Sequence, residues 1–144
     1  MSLRTKLPCG FKSVGIFLFF GFVMASLAGT TLLWPGTPLD GMWALNARAF
    51  KQLVPLGRAI GVPFLVLGLA LFAAGIGWFG QRRWGWKLAV AIIAIQIAGD
   101  LTSMLRGNAI RGAAGVAIAG ALFFYMTSSP VRAVFAKRRI PISR

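Results

Sequence analysis

The sequence contains no histidine, a single cysteine (Cys9) and only two acidic residues, Asp40 and Asp100. Without histidine, the chain cannot form a histidine-ligated haem site, a Ser-His-Asp triad or a histidine proton relay. A single cysteine excludes a CxxC redox pair and a cysteine–histidine zinc site. Because the few titratable side chains contain no evident acid–base pair, we expect no enzymatic activity, no metal site and no cofactor.

Basic residues greatly outnumber acidic ones. Lys and Arg total 16, which gives a formal net charge of +14, while 58% of the residues are hydrophobic. A soluble domain this apolar would expose large patches and aggregate, so the composition favours a membrane protein. The basic residues flank the apolar runs, which is typical of orientation signals in membrane proteins. We therefore expect no nucleic-acid partner.

Four apolar runs are about long enough to cross a bilayer as helices. Residues 14–34 form the first run, without a charge over 21 residues, and the others cover residues 60–79, 88–105 and 112–128. The first run exceeds the core of a usual secretory signal, so we expect it to be retained as a helix. The predicted fold is all-α, a four-transmembrane-helix bundle in a single integral membrane domain over residues 1–144.

Five shorter segments flank or connect the predicted helices. Most are basic, and the longest lies between the first and second helices. They are a basic head (1–13), a first loop (35–59), two tight basic turns (81–87 and 106–111) and a basic tail (130–144).

Small residues recur at helical spacing along three of the predicted helices. Such repeats let the backbones of neighbouring membrane helices approach closely. The repeats are Gly21, Ala25 and Gly29 in the first helix, Gly61, Gly68 and Gly75 in the second, and Ala113, Ala117 and Ala121 in the fourth.

The first loop contains a two-faced segment over residues 38–54. Thr37 and Pro38 are typical of a helix start, and Pro55 ends the pattern. Trp43 and Phe50 share the apolar face of a helical wheel, with Asn46 in its middle. The pattern predicts an amphipathic helix that lies flat at the membrane surface, or a soluble-type helix covering the mouth of the bundle. A lone Asn in such a face usually bonds to neighbouring backbone rather than to a ligand.

The distribution of positive charge predicts the orientation. If both termini are cytoplasmic, 11 of the 16 basic residues lie on the inner side, which satisfies the positive-inside rule. Aromatic residues agree, with Trp34 and Trp43 at the outer interface and Trp78, Trp84, Trp86 and Tyr125 at the inner one. We expect the inner basic residues to bind anionic lipid headgroups, or only to set the topology. They are Arg82, Arg83, Lys87, Lys137, Arg138 and Arg139.

The third apolar run holds the only acidic residue of the predicted membrane helices, Asp100. Gln96, Asp100 and Ser103 fall within roughly 60° of one another on a helical wheel, so this face is expected to contact protein. An ionisable group within lipid is costly and is usually paired. We therefore predict that Asp100 is buried and held by Arg58 or Arg111, either as a structural ion pair or as a ligand or proton site.

Several strings resemble a group of small bacterial four-helix membrane proteins that have no assigned function. They are LLWPGTPLDGMWALN in the first loop, RRWGWKLAV before the third helix, GDL at Asp100, and RG before the fourth helix. The resemblance would extend over residues 34–130. It implies a bacterial inner-membrane location and no particular activity.

Two functions are compatible with these features. The favoured one is a non-enzymatic membrane protein, an accessory subunit or scaffold with a protein partner or further copies of itself in the membrane. The alternative is a small transporter or channel that uses Asp100 as an intramembrane proton or cation site. The charge bias opposes insertion in both orientations, which small dual-topology transporters require.

Overall fold

The computed structural model of the protein describes residues 7–107 and 109–136, without the side chains of Leu45, Asn46, Ala49 and Ser103. Within these ranges all of the regular structure is helical, which confirms the predicted all-α class. The α-helices are α1 (Phe11–Leu33), α2 (Ala47–Leu53), α3 (Gly57–Phe79), α4 (Arg83–Leu105), α5 (Ala109–Thr127) and α6 (Ser129–Ala136).

Four helical stretches are long and apolar enough to cross a membrane. Three of them lie in α1, α4 and α5, and the fourth, Phe50–Phe79, contains α3. Four long apolar helices are therefore confirmed, and their number is that of a multi-pass membrane protein. α5 begins at Ala109, three residues before the predicted start, and so reaches 19 residues.

The first loop is helical, but it is not the single helix predicted over residues 38–54. A 3-10 helix covers Pro38–Asn46, α2 follows, and a second 3-10 helix covers Val54–Leu56. The Thr37 side chain does not cap the segment. Instead, the Gly36 N–H donates to the Asp40 carboxylate at 2.7 Å, and the Asp40 N–H donates to the Thr37 carbonyl at 2.9 Å. The bond from the Asp40 N–H to the Thr37 carbonyl joins residues three apart and therefore closes a 3-10 turn. Gly41, the next residue, has a low α-helix propensity.

The described chain falls into two compact units, of which one is Phe17–Ala73 and the other comprises the remaining residues. In the first unit, α1 and α3 pack through two of the predicted small-residue repeats. A Cβ on Gly29 would lie 2.9 Å from the Gly61 carbonyl oxygen, and one on Gly61 would lie 3.0 Å from that of Gly29. Because only glycine allows such an approach, the two backbones are in direct contact there.

The first loop is fastened to α1 within the same unit. Thr31 is fully buried, and its hydroxyl donates to the Ala28 carbonyl at 3.0 Å. The same oxygen accepts the indole N–H of Trp43 at 2.9 Å, and the Trp43 ring lies 5.4 Å from that of Phe50. The polar edge of Trp43 is thus engaged by protein, so of the two predicted outer aromatic anchors Trp34 is the exposed one.

An aromatic cluster forms the core of the second unit. The rings of Phe11 and Trp78 stack with centroids 5.0 Å apart, and Phe135 lies 5.1 Å from Trp78. The Trp78 indole N–H donates to the Phe11 carbonyl at 2.9 Å. Trp78 is completely buried, and its indole finds its hydrogen-bond partner inside the protein. Its level at the inner interface stays a prediction.

Glycines bring the helices of the second unit together. Gly77 near the end of α3 and Gly85 near the start of α4 touch backbone to backbone, because a Cβ on Gly77 would lie 2.5 Å from the Gly85 Cα. In the C-terminal part of α4, Met104 and the Asp100 carbonyl pack against Gly112 of α5.

The Ala113, Ala117 and Ala121 repeat of α5 is not buried by the described part of the chain, because all three residues are exposed. α5 instead buries Gly112, Ala119 and Met126, which follow a spacing of seven residues.

Candidate functional site

A pocket of about 490 Å³ lies between the start of α4 and the short helix α6. Helix α6 begins at Ser129-Pro130 and buries Val131 and Phe135, which are four residues apart and therefore share one face. Burial of this face turns Arg132 and Ala133 toward the pocket. The lining residues are Arg83, Trp86, Lys87, Ser129, Arg132, Ala133, Phe135 and Ala136.

Among the described residues, three cationic side chains line the pocket. Arg83 and Lys87 are four residues apart on α4, so they project from the same face with Cβ atoms about 6 Å apart. Arg132 comes from α6, and all three side chains are exposed. The Ser129 hydroxyl adds a group that can both donate and accept. The pocket thus combines three positive charges with hydrogen-bond donors of different geometry.

Aromatic side chains give the pocket a fixed apolar wall. Phe135 is 2% exposed, and its ring centroid lies 6.3 Å from that of Trp86. The Trp86 indole N–H donates to the Met126 carbonyl at 2.8 Å, and the Arg83 Nε–H donates to the Phe135 carbonyl at 3.1 Å. These bonds hold α4, α5 and α6 together around the cations, so the positive charges are carried on a packed base.

The charged side chains that line the pocket are all positive. The only side-chain carboxylate of this unit, Asp100, lies 17 residues beyond Arg83 on α4, or about 25 Å along the helix axis. That distance exceeds the Debye length of about 8 Å at physiological ionic strength. No carboxylate side chain of the unit therefore neutralises the three cations, and the pocket is suited to an anion.

The structure gathers part of the predicted headgroup set. Arg83 and Lys87 line the pocket, whereas Arg82 is an exposed residue immediately before α4 and does not line it. Lys137, Arg138 and Arg139 lie outside the described residues. Sequence reasoning misses Arg132 and Ser129, because basic residues dominate residues 130–144 and Ser129 lies between that segment and the last apolar run. The available signal was Pro130 in the first turn followed by apolar residues four apart.

The structure brings together Gln96 and Asp100 of the predicted polar cluster. The Gln96 amide nitrogen donates to the Asp100 carboxylate at 3.1 Å. Asp100 is half-buried rather than enclosed, and Gln96 is exposed. The carboxylate also packs against Gly115 of α5. Because glycine has no side chain, the carboxylate occupies the space that a Cβ atom would fill.

Two of the other predicted members of the polar cluster are arginines near the starts of α5 and α3. Arg111 is exposed in the first turn of α5, and Arg58 is exposed at the start of α3 in the unit Phe17–Ala73. The side chains of Ser103 and Asn46 lie outside the described part of the structure. An ion pair between Asp100 and either arginine stays a prediction.

Residues of the metal-binding types do not cluster in the described chain. Among the described residues, no group of three His, Cys, Asp or Glu side chains lies close enough to hold a metal ion. Comparisons with protein-family models, with curated proteins and with solved structures gave no match to this chain.

Proposed function

We propose that the protein is a non-enzymatic, multi-pass protein of the bacterial inner membrane that binds anionic lipid at its cytoplasmic side. In this proposal α1, α3, α4 and α5 form a transmembrane bundle, and residues 38–56 lie at the outer surface. The protein acts as an accessory subunit or scaffold that holds lipid beside a membrane complex. The observation that carries the proposal is the pocket with three cations on an aromatic base.

The position of the pocket relative to the apolar helices supports a lipid headgroup as the bound anion. Arg83 and Lys87 begin α4, and the apolar part of that helix follows directly. A membrane-spanning α4 therefore places these cations at the level of the phosphates, where each basic residue contributes about 1 kcal/mol of attraction to an anionic leaflet. Trp84 is 46% exposed beside them and suits the same interfacial level.

Charge asymmetry supports the cytoplasmic placement. Residues 1–13, 81–87 and 130–144 hold 11 of the 16 basic residues, which favours the inner side for the end of α4 that contains the pocket. Anionic lipids give the cytoplasmic leaflet a negative surface potential. Both features point to the same side for the pocket.

Lipid binding to purified protein tests the proposal. Native mass spectrometry in detergent should show phosphatidylglycerol bound to the wild-type chain and little phosphatidylcholine. Lys87→Gln with Arg132→Gln removes two cations, each worth about 1 kcal/mol, so phosphatidylglycerol binding should weaken by about 10- to 30-fold.

The matched control is the double variant Arg48→Gln with Lys51→Gln. It removes two exposed cations of the other unit and should leave binding unchanged. Equal retention of phosphatidylcholine and phosphatidylglycerol by the wild-type chain would contradict the proposal. Displacement of the lipid by millimolar inorganic phosphate would instead identify a soluble anion as the ligand.

A further inference from the structure

The pocket between α4 and α6 has more charge and more room than one lipid phosphate needs. A phosphodiester headgroup carries a single negative charge, whereas Arg83, Lys87 and Arg132 supply three positive ones. A single phosphate would therefore leave two of the cations facing each other without a counter-charge. The volume of about 490 Å³ falls within the range of roughly 300–1,000 Å³ that is usual for organic ligands, and it exceeds what one phosphate fills.

The cations are divided between two helices, which suggests two positions for phosphate. Arg83 and Lys87 form a pair on one face of α4, and Arg132 with Ser129 forms a second group on α6. The Arg83 Nε–H is engaged by the Phe135 carbonyl, so the guanidinium plane is fixed and its terminal N–H groups form a fork for phosphate oxygens. Lys87 adds a mobile point charge beside that fork.

Part of the pocket wall is apolar. Phe135, Ala133 and Ala136 line it, and they offer contact to carbon rather than to charge. The linker between two phosphates of one molecule would lie against this wall. Because the pocket adjoins the start of an apolar helix long enough to cross a membrane, a ligand with acyl chains can place its headgroup in the pocket and its chains along that helix.

We propose that the pocket selects a lipid with two phosphate groups in one headgroup, of the diphosphatidylglycerol class, over lipids with one phosphate. One phosphate lies between Arg83 and Lys87, and the other lies at Arg132 and Ser129. Basic pockets on the cytoplasmic side of membrane helices commonly bind such headgroups. This inference rests on the proposed lipid-binding function and names the lipid class for the same site.

A competition between lipids that differ in phosphate number tests this inference. The full-length protein in detergent is titrated with cardiolipin and, separately, with phosphatidylglycerol of the same acyl chains, and the bound fraction is read by native mass spectrometry. Cardiolipin should bind at least tenfold more tightly per molecule. Arg132→Gln should reduce this ratio to about two, the statistical value for two equivalent phosphates, because it removes the second phosphate position. Arg48→Gln should leave the ratio unchanged.

Each outcome separates the two proposals. If phosphatidylglycerol binds and cardiolipin is favoured only about twofold, the two-phosphate inference is wrong and the anionic-lipid function stands. If neither lipid binds, both are wrong. If inorganic pyrophosphate at millimolar concentration displaces cardiolipin completely, the site recognises a soluble diphosphate and not a lipid. Ser129→Ala keeps all the charges and is expected to fold normally, so it tests the second phosphate position. It should weaken the binding of cardiolipin about threefold and the binding of phosphatidylglycerol less.

Discussion

Asp100 shows how one residue can be accommodated in an apolar helix. Its carboxylate accepts a hydrogen bond from Gln96 one turn earlier and lies over Gly115, where no side chain intervenes. The acid lies five residues before the end of α4, or about 8 Å along the axis from Leu105. A half-exposed carboxylate at that depth is stabilised by amide donors and by any cation of the outer boundary.

Neutralising Asp100 should separate a structural role from a ligand site. Asp100→Asn keeps the shape of the side chain and removes its charge. If the residue locks α4 to a cation, the variant should lower the free energy of unfolding in detergent by about 1 kcal/mol, a modest value because the group is half-exposed. Thermal unfolding followed by circular dichroism measures this loss.

The double variant provides the control for the predicted ion pair. Adding Arg111→Gln to Asp100→Asn should restore most of the lost stability, because the arginine is then no longer left without its counter-charge. Arg106→Gln in place of Arg111→Gln should not restore it. Unchanged stability of Asp100→Asn would contradict the structural role and favour a ligand or proton site.

At the scale of elements, contact between helices depends on particular glycines more than on repeats. Gly77 and Gly85 allow the ends of α3 and α4 to touch, whereas Gly120 of α5 has no atom within 4 Å of an added Cβ. Sequence spacing alone does not distinguish these positions. The structure therefore predicts different outcomes for chemically identical substitutions.

Gly85→Ala should destabilise the protein strongly, and Gly120→Ala should not. The added methyl group at residue 85 would overlap the backbone of Gly77, and overpacking of this kind costs about 1–3 kcal/mol. At residue 120 the same methyl group meets open space and gains helix propensity. Melting temperatures of the two variants in one detergent measure the difference. Equal melting temperatures would mean that α3 and α4 do not touch at these glycines.

The elements also show which features could be predicted from the sequence. The four long helices were predictable because each contains a long and largely apolar run, and Gly29 and Gly61 each belong to a repeat that allows close contact between helices. α6 was missed because basic residues dominate its surroundings and hide the spacing of Val131 and Phe135. The segment 38–54 begins as a 3-10 helix, and the Asp40 carboxylate there accepts a bond from the Gly36 N–H, a local contact that a helical wheel does not contain.

At the scale of the site, the same reasoning found charges but not their arrangement. Arg83 and Lys87 were expected at the inner side because they precede an apolar run. Arg132 belongs to the same pocket only because α6 folds back toward α4, and the Arg83 bond to the Phe135 carbonyl fixes that arrangement. Such a contact joins residues 52 positions apart, and no local pattern encodes it.

At the scale of the whole molecule, the proposed orientation makes a direct prediction about accessibility. Cys9 and Lys51 are both exposed, and the proposal places them on opposite sides of the membrane. In spheroplasts, an impermeant maleimide should label Lys51→Cys in a Cys9→Ala background. Native Cys9 should react only after the membrane is opened, because positive charge holds its segment inside.

Reactivity in the opposite order would contradict the orientation. Labelling of both positions from outside would indicate mixed orientation or leaky spheroplasts, and a cytoplasmic marker protein labelled in parallel distinguishes these cases. A Lys87→Cys variant in the Cys9→Ala background serves as a second inner-side position. Residue 87 lines the pocket, which the proposal places on the cytoplasmic side.

The second unit joins residues that are far apart in the order of synthesis. The Tyr125 hydroxyl donates to the Cys9 carbonyl at 2.5 Å, and Phe11 lies 5.9 Å from Phe135, so the early segment contacts two of the latest helices. The bond from Tyr125 cannot form until residue 125 has left the ribosome, and the contact with Phe135 cannot form until residue 135 has done so. The segment around Phe11 is therefore synthesised well before its partners in α5 and α6. These contacts make completion of this unit a late event, and ribosome-bound chains that stop before α6 would lack the contacts of Phe135 with Phe11 and Trp78.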